Sequence, residues 1–334
     1  MVLILSVPDD LSTDHVIAWL NAWGRRWMRI GPSDRIHARR ISTSMTGATD
    51  FEVEVSGVGT FHKKEITAFW YRRGHLSLAH RDWDTKDEPI PEQLRVHLQR
   101  ECSSLEYIVH KAFEQVPHLN AYADNNINKT EVLGIAGRLG LSVPRTLVTD
   151  LRIELERFIK DCGAVVTKGL HSGFFFEEEG VPFEGMTREV MQKEVDSLAD
   201  HFHVSLFQEK INKRYEIRAF YLAGKFHCMA IFSQANTRTA TDYRNHDPTN
   251  PNRTVPYRLP VTIEEMLTAL MHQIGLNCGT IDIVRNVQGA YVFLEVNPIG
   301  QFGQVSISCN YALEMRVAQY LTCGGDIENE RVSH

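Results

Sequence analysis

Thr280-Ile-Asp-Ile-Val and Tyr291-Val-Phe-Leu-Glu-Val-Asn-Pro stand on either side of Asn286–Gly289, a turn-like stretch. Two runs of β-branched and aromatic residues joined in this way predict a hairpin. No other feature constrains the chain as much, because side chains alternate along a strand and Glu295 and Asn297 must share a face. A turn closing at residues 287–288 sets Asp282 opposite residue 293, on that same face. A register centred one residue later sets it directly opposite Glu295. Either way two carboxylates and an amide gather on one face, with apolar neighbours on the other. Oxygen ligands of this kind suit Mg²⁺, which needs few protein ligands and completes its shell with water and phosphate oxygens. A half-exposed hairpin with polar residues on its wet side explains the same pattern more plainly. The following Pro298-Ile-Gly-Gln-Phe favours the metal, since Gly300 permits close backbone approach and Gln301 can donate to phosphate.

Four further segments carry cations and donors of the type a nucleotide needs. Lys168 ends the apolar strand AVVTK, a costly place for an ammonium unless an anion such as phosphate meets it or the side chain escapes to solvent. Phe207-Gln-Glu-Lys-Ile ends a second apolar strand. An extended hinge over Gln208, Glu209, Lys210 and Ile211 could offer backbone N–H and C=O groups to adenine. Glu216 and Arg218 lie two apart on one strand face, placing a carboxylate for ribose and a guanidinium for a γ-phosphate; an ordinary cross-strand ion pair fits as well. The loop 235–260 carries Arg238, Arg244, Arg253 and Arg258, of which Arg244, in Asp242-Tyr-Arg, is the first candidate for steadying charge in phosphoryl transfer.

The rest of the 334 residues reads as α/β. Val2–Val7 predicts a buried strand, Ser12 or Thr13 a helix cap, and Met28–Ile30 the strand that closes a βαβ-like unit. Phe51–Val55 with Gly59–Phe61 predicts a hairpin, Ile66–Tyr71 a strand, and the stretch after Pro91 a long helix with Ile108 or Val109 inward. Asn128 caps a helix that Gly140 closes. Strand 145–148, helix 151–162 and strand 164–168 follow, then a turn or hairpin at 169–186, a helix at 187–202, strand 204–211, a hairpin of Glu216–Leu222 with Lys225–Gln234, helix 262–274 and helix 310–321. Boundaries fall at 1–120, 121–203 and 204–334. Six scattered cysteines without a CxxC pair suit neither zinc nor a disulfide framework, and reduced core thiols are expected. His201 and His203 resemble a ligand pair but read as structural or surface histidines. A net charge of −6 gives no general attraction to nucleic acid or anionic membrane. The apolar Met1–Val7 is too short for a signal, no segment reaches the roughly 20 apolar residues of a membrane span, and a cytoplasmic protein is expected.

Taken in order, Lys129, Lys168, Gln208-Glu-Lys, Glu216-x-Arg218, Asp242-x-Arg244, Asp282 and Glu295-x-Asn297-Pro-x-Gly-Gln resemble the ATP-grasp superfamily. More narrowly, the chain is similar to the maturases of graspetides, ribosomal peptides closed by side-chain esters or amides, and among them to the grasp-with-spasm type. VLILSVPDDLSTDHVIAWL, LFQEKINKRYEIRAFYLAGKFHCMAIFSQ, PNRTVPYRLP and FLEVNPIGQFGQVSISCNYALE carry the likeness, which spans nearly the whole chain and is densest over 204–314.

The resemblance implies an ATP-grasp fold of N-terminal α/β, central and C-terminal domains with ATP between two sheets. Lys129 and Lys168 would contact phosphates and the nucleotide, and Gln208, Glu209, Lys210 and Glu216 would hold adenine and ribose. Arg218 and Arg244 would steady the γ-phosphate and acyl phosphate; Asp282, Glu295 and Asn297 would carry Mg²⁺. Ser172 and Gly173 are weaker candidates in a variable phosphate-covering loop. The implied activity phosphorylates Asp or Glu side chains of a precursor peptide, leader plus core, which Ser, Thr or Lys of the same peptide then attack. Homodimerisation is a further expectation. A ligase acting on a small molecule or a protein C-terminus, a silent ATP-binding adaptor and a kinase are the alternatives.

Overall fold

The structure is a computed structural model describing residues 1–78, 90–170, 175–178, 181–245 and 247–324. Val2–Leu5 (β1) is apolar and buried at every position, as a strand covered on both faces must be. It runs through the helix Leu11–Ala22 (α1) to Trp27–Ile30 (β2), its parallel neighbour, which is the expected βαβ unit. Asp10, not Ser12 or Thr13, caps α1: its carboxylate accepts the Thr13 N–H at 2.8 Å. Arg35–Thr43 (β3), Thr49–Val55 (β4), Gly59–His62 (β5), Ala68–Tyr71 (β6) and Ser77–Leu78 (β7) follow, then Glu92–Phe113 (α2) and His118–Leu119 (β8). They form a parallel sheet β2-β1-β6-β8 and a second sheet β5-β4-β3-β7. Strand β3 was not foreseen. Helix α2 buries Val109, Ala112 and Phe113 between these sheets and leaves Ile108 exposed.

Lys129–Arg138 (α3) is capped by Asn128, which accepts from the Thr130 and Glu131 N–H groups, and Gly140 closes it at φ +91°. Thr146–Leu151 (β9), Arg152–Cys162 (α4), Val165–Lys168 (β10), the hairpin Phe175–Glu178 (β11) with Val181–Glu184 (β12), Arg188–Glu189 (β13), Gln192–Ser197 (α5) and His201–Glu209 (β14) come next. The central sheet has the order β13-β10-β14-β9. A continuous helix over 187–202 is not present. Arg188 and Glu189 pair with Thr167 and Val166 on β10, and His201 begins β14, so sheet pairing at both ends overrides a helix-forming composition and α5 alone remains. Strand β14 is paired on both sides here, so this sheet extends past the boundary at 203.

Lys213–Leu222 (β15), Lys225–Phe232 (β16), Arg253–Tyr257 (β17), Val261–Gln273 (α6), Cys278–Asn286 (β18), Tyr291–Asn297 (β19), Gly303–Cys309 (α7) and Leu313–Thr322 (α8) complete the described chain. The five strands form one antiparallel sheet, β17-β16-β15-β18-β19. Ala223 and Gly224 turn β15 into β16 with positive φ at both positions, the twist a two-residue hairpin demands. The helix expected at 310–321 is α8, which starts three residues later because Asn310 and Ala312 are left-handed, and α7 before it was not foreseen. Loop 235–260 is ordered by side chains: Asp247 accepts from Thr249, Asn250 and Asn236, and β17 adds an edge strand.

The two faces of this last sheet explain where the site must lie. Ile217, Ala219, Tyr221, Ile281, Ile283, Phe293 and Val296 point to one side, against α3 and α6. On the other side Phe220, Leu222, Met229 and Ile231 share a core with β1, α1, α7 and α8. Along that second face the same alternation continues into Glu216, Arg218, Asp282 and Glu295. The apolar cover stops there, and the face becomes the floor of a cleft whose opposite wall is the central sheet. All six cysteines are unpaired, four of them buried. Among the described residues no helix is long and apolar enough to cross a membrane.

Candidate active site

The β18–β19 hairpin sets the geometry. Asp282 lies directly opposite Glu295 and Thr280 opposite Asn297, the second of the two registers open from sequence. A bulge between Asp282 and Ile283 achieves this while Phe293 still faces Ile283 in the core; the extra residue, Leu294, lines the cleft. Asn297 Nδ2 donates to Asp282 Oδ2 at 3.3 Å, so the three expected metal ligands are neighbours.

Cations ring the acidic pair. Lys168 Nζ, at the end of β10, lies 3.4 Å from Glu295 Oε2. Lys129 Nζ, at the start of α3, lies 3.9 Å from the same oxygen and donates to the Gly169 carbonyl. Arg244 Nη1 approaches Glu295 Oε1 to 3.9 Å, and Arg218 Nη1 is 3.4 Å from Asp282 Oδ1. Burial pushes the Glu295 carboxyl up, but Lys168, Lys129 and Arg244 outweigh it and hold the group below the usual glutamate range. Burial dominates at Asp282 and raises its carboxyl, with Arg218 opposing too weakly to cancel it. Two adjacent acids with opposite shifts leave one charge under-compensated, and a divalent cation would restore it. The donor set therefore fits Mg²⁺: two carboxylates, plus the Asn297 amide once turned to present its oxygen. Among the described residues no group of three or more His, Cys, Asp or Glu forms an alternative metal cluster, and His201 and His203 are exposed.

Arg218 is 8% exposed and held from four directions: by the Tyr243 hydroxyl, Asp282, Thr280 Oγ1 and the Gln301 carbonyl. Arg244 is set by a two-pronged contact, Nε and Nη2 donating to Asp242 at 2.9 and 2.7 Å. Arg238 and Arg253 are engaged elsewhere, with Asn245 and the Phe232 ring.

At the far end of the cleft Gln208, Glu209, Lys210 and Ile211 line the wall. Gln208 donates to Thr146, Glu209 pairs with Arg145, and Lys210 with Glu189, so their side chains brace the segment. The Glu209 and Lys210 N–H groups donate to the Arg145 and Ala164 carbonyls, which moves any adenine donor to Ile211 or beyond. Glu216 Oε1 accepts from both Lys213 and Ser233, and burial, opposed by Lys213, raises its carboxyl.

Gln301 does not line this cleft. Its side-chain oxygen accepts from Arg72 and its carbonyl from Arg218. Gly300 is indeed a site of close approach, but to the Thr280 side chain: a Cβ built there would lie 2.6 Å from Thr280 Cβ and Cγ2. Thr280 is fully buried and cannot retreat. Gly300→Ala should therefore cost about 2 kcal/mol of stability through overpacking. Urea unfolding would measure it, and an unchanged midpoint would show that the loop can yield. Ser172 and Gly173 lie outside the described residues. Tyr243, Lys213 and Arg72 were missed by sequence reasoning. Tyr243 lies between two selected residues; the others carry no local signal.

No protein-family pattern and no curated protein matches the sequence. Solved structures do. Macrocyclase MdnC bound with precursor peptide MdnA, from Microcystis aeruginosa MRC, is 26% identical with a TM-score of 0.74, over 96% of this chain and 99% of that one. A RiPP-associated ATP-grasp ligase of Chryseobacterium gregarium, in complex with ADP and a leader and core peptide, is 23% identical with a TM-score of 0.77, over 99% of both chains. ATP-grasp ligase PsnB, complexed with a phosphomimetic variant of minimal precursor, Mg and ADP, is 18% identical with a TM-score of 0.69, over 97% and 98%. By its fold, the two-sheet cleft and this whole-length likeness, the chain belongs to the ATP-grasp superfamily and shares the architecture of its peptide-macrocyclising ligases.

Proposed function

We propose that the chain is an ATP-dependent, Mg²⁺-requiring peptide maturase. It phosphorylates an Asp or Glu side chain of a ribosomally made precursor peptide and closes an ester to Ser or Thr, or an amide to Lys. One observation carries this reading: the Asp282–Glu295 pair lies on the cleft floor with Lys129, Lys168, Arg218 and Arg244 around it.

A carboxylate oxygen of the peptide attacks the γ-phosphorus and ADP leaves. A hydroxyl or amine then adds to the acyl carbon, the bond from that carbon to the bridging oxygen breaks, phosphate departs with the oxygen and the electron pair, and the nucleophile's proton passes to solvent. Asp282, Glu295 and Asn297 would hold Mg²⁺, which would supply neutralisation of the triphosphate's charge. Lys168 and Lys129 supply positive charge where the triphosphate enters. Arg244, on a rim aimed by Asp242, and Arg218, on the floor beside Asp282, meet the charge that develops in transfer. Gln208, Glu209, Lys210, Ile211 and Glu216 form the wall for adenine and ribose, and Gln301 acts through the loop rather than on phosphate. An ATP-dependent reaction of this kind belongs in the cytoplasm, where the chain would act as the homodimer that the resemblance implies.

The test is co-expression with a candidate precursor rich in Thr, Ser or Lys and in Asp or Glu, followed by mass spectrometry. Each link should remove one water, and peptide-dependent phosphate release should accompany it. A stable phosphopeptide would make the chain a kinase, and ATP binding without turnover on any acidic peptide would make it an adaptor.

A further inference from the structure

We propose that Arg72, in the N-terminal sheets, is a positioning residue that sets Arg218 through the Gly300–Gln301 loop. The inference rests on the ligase reading for its effect on turnover. Arg72 is 3% exposed at the end of β6 and faces Asp10, itself 4% exposed. Arg72 Nε lies 3.3 Å from Asp10 Oδ2, and Arg73 Nε 2.8 Å from the same oxygen. Asp10 cannot drift, because it also caps α1 through the Thr13 N–H and hydroxyl. This fixed anion aims the guanidinium outward from the sheet. Nη1 donates to the Gly300 carbonyl and Nη2 to Gln301 Oε1, both at 3.2 Å. The Gln301 carbonyl, on the residue so held, accepts from Arg218 Nη2 at 3.3 Å, and Arg218 Nη1 meets Asp282.

The path from Asp10 to Asp282 thus runs through two almost wholly buried guanidinium groups, Arg72 and Arg218, joined by the Gly300–Gln301 loop, and each step is a charged contact or a hydrogen bond. Burying a guanidinium is costly, and a purely apolar residue could join the two cores with less penalty. What an apolar side chain cannot do is fix one backbone carbonyl and one side-chain oxygen at once, and that is what Arg72's fork supplies. A small misplacement of a group that meets developing charge costs on the order of 10²-fold in rate.

Arg72→Lys keeps the charge facing Asp10 but removes the fork. Two readouts separate positioning from mere support. Hydrogen exchange at the amides of 298–303 should quicken at least about tenfold, and kcat for peptide modification should fall about 10²-fold while KM for the peptide changes less than about threefold and the thermal midpoint stays near wild type. Losses from Arg72→Lys and Arg218→Lys should fail to multiply when combined, since both act on the Gly300–Gln301 segment. Gln301→Ala, which removes one of the two contacts, should give a smaller loss of the same kind and serves if Arg72→Lys does not fold. Unchanged exchange at 298–303, multiplicative losses, or a fall in kcat that only tracks the unfolded fraction would each overturn the proposal. The exchange readout needs no turnover, so a wild-type protein that modifies no peptide would sink the ligase reading without deciding this one.

Discussion

Glu295→Gln should reduce peptide-dependent ADP release by about 10³-fold while leaving nucleotide binding in EDTA intact or tighter. The carboxylate has two roles at once. It faces Asp282 across the hairpin, where the pair would supply the two anionic ligands proposed for a dication, and its oxygens compensate Lys168, Lys129 and Arg244, all within 3.9 Å. The amide keeps the shape and removes the charge, so Lys168 and Lys129 lose the carboxylate they face and Arg244 keeps only Asp242. An incoming triphosphate then meets more net positive charge than in the wild type, which favours metal-free binding. Metal affinity falls for the opposite reason, since only Asp282 remains, and its carboxyl is already raised by burial. Calorimetry with ADP in EDTA, beside turnover over a Mg²⁺ series, reads both arms. Joint loss of binding and turnover would show a collapsed site rather than a missing ligand.

This hairpin was legible because its chemistry is local. Period-two alternation over TIDIV and YVFLEVN fixes which residues share a face whatever the register, and both registers considered put the acids together. The bulge that chooses between them was not legible, because one extra residue at Leu294 changes no residue type and is set by packing of Phe293 and Ile283. Asn128, Gly140 and the Ala223–Gly224 turn were readable for the same local reason: each satisfies a backbone demand within a few residues. Where pairing is distant, local reading failed. Residues 187–202 look helical until β10 takes their first residues into the sheet. The contact from Arg72, 229 positions away, to the Gln301 amide oxygen has no local signal. Nothing within ten residues of Arg72 announces that it reaches the glycine loop. Tyr243 was passed over because a tyrosine in a polar loop has an ordinary explanation in solvent, whereas here its hydroxyl contacts Arg218.

Arg244→Lys should be nearly as inactive as Arg244→Ala, each losing about 10²- to 10³-fold in kcat. Charge alone does not account for this residue. Nε and Nη2 are both committed to Asp242, which leaves Nη1 directed at the cleft, 3.9 Å from Glu295. A lysine reaching Asp242 would place its one ammonium there and offer nothing further, and a lysine reaching the cleft would leave the buried Asp242 unpaired. The Asp242 carboxylate is 6% exposed, and although burial pushes it up, the bonds from Arg244 hold it below the usual aspartate range. Asp242→Asn should consequently lose less, about tenfold, because an amide oxygen still accepts one prong and Arg244 keeps its charge but not its aim. The order Ala ≈ Lys, both far below Asp242→Asn, is the signature of an aimed guanidinium. Substantial rescue by lysine would reduce Arg244 to a contributor of general positive potential at the rim, the role proposed for Lys129 and Lys168, and would shift the burden of transition-state charge onto Arg218.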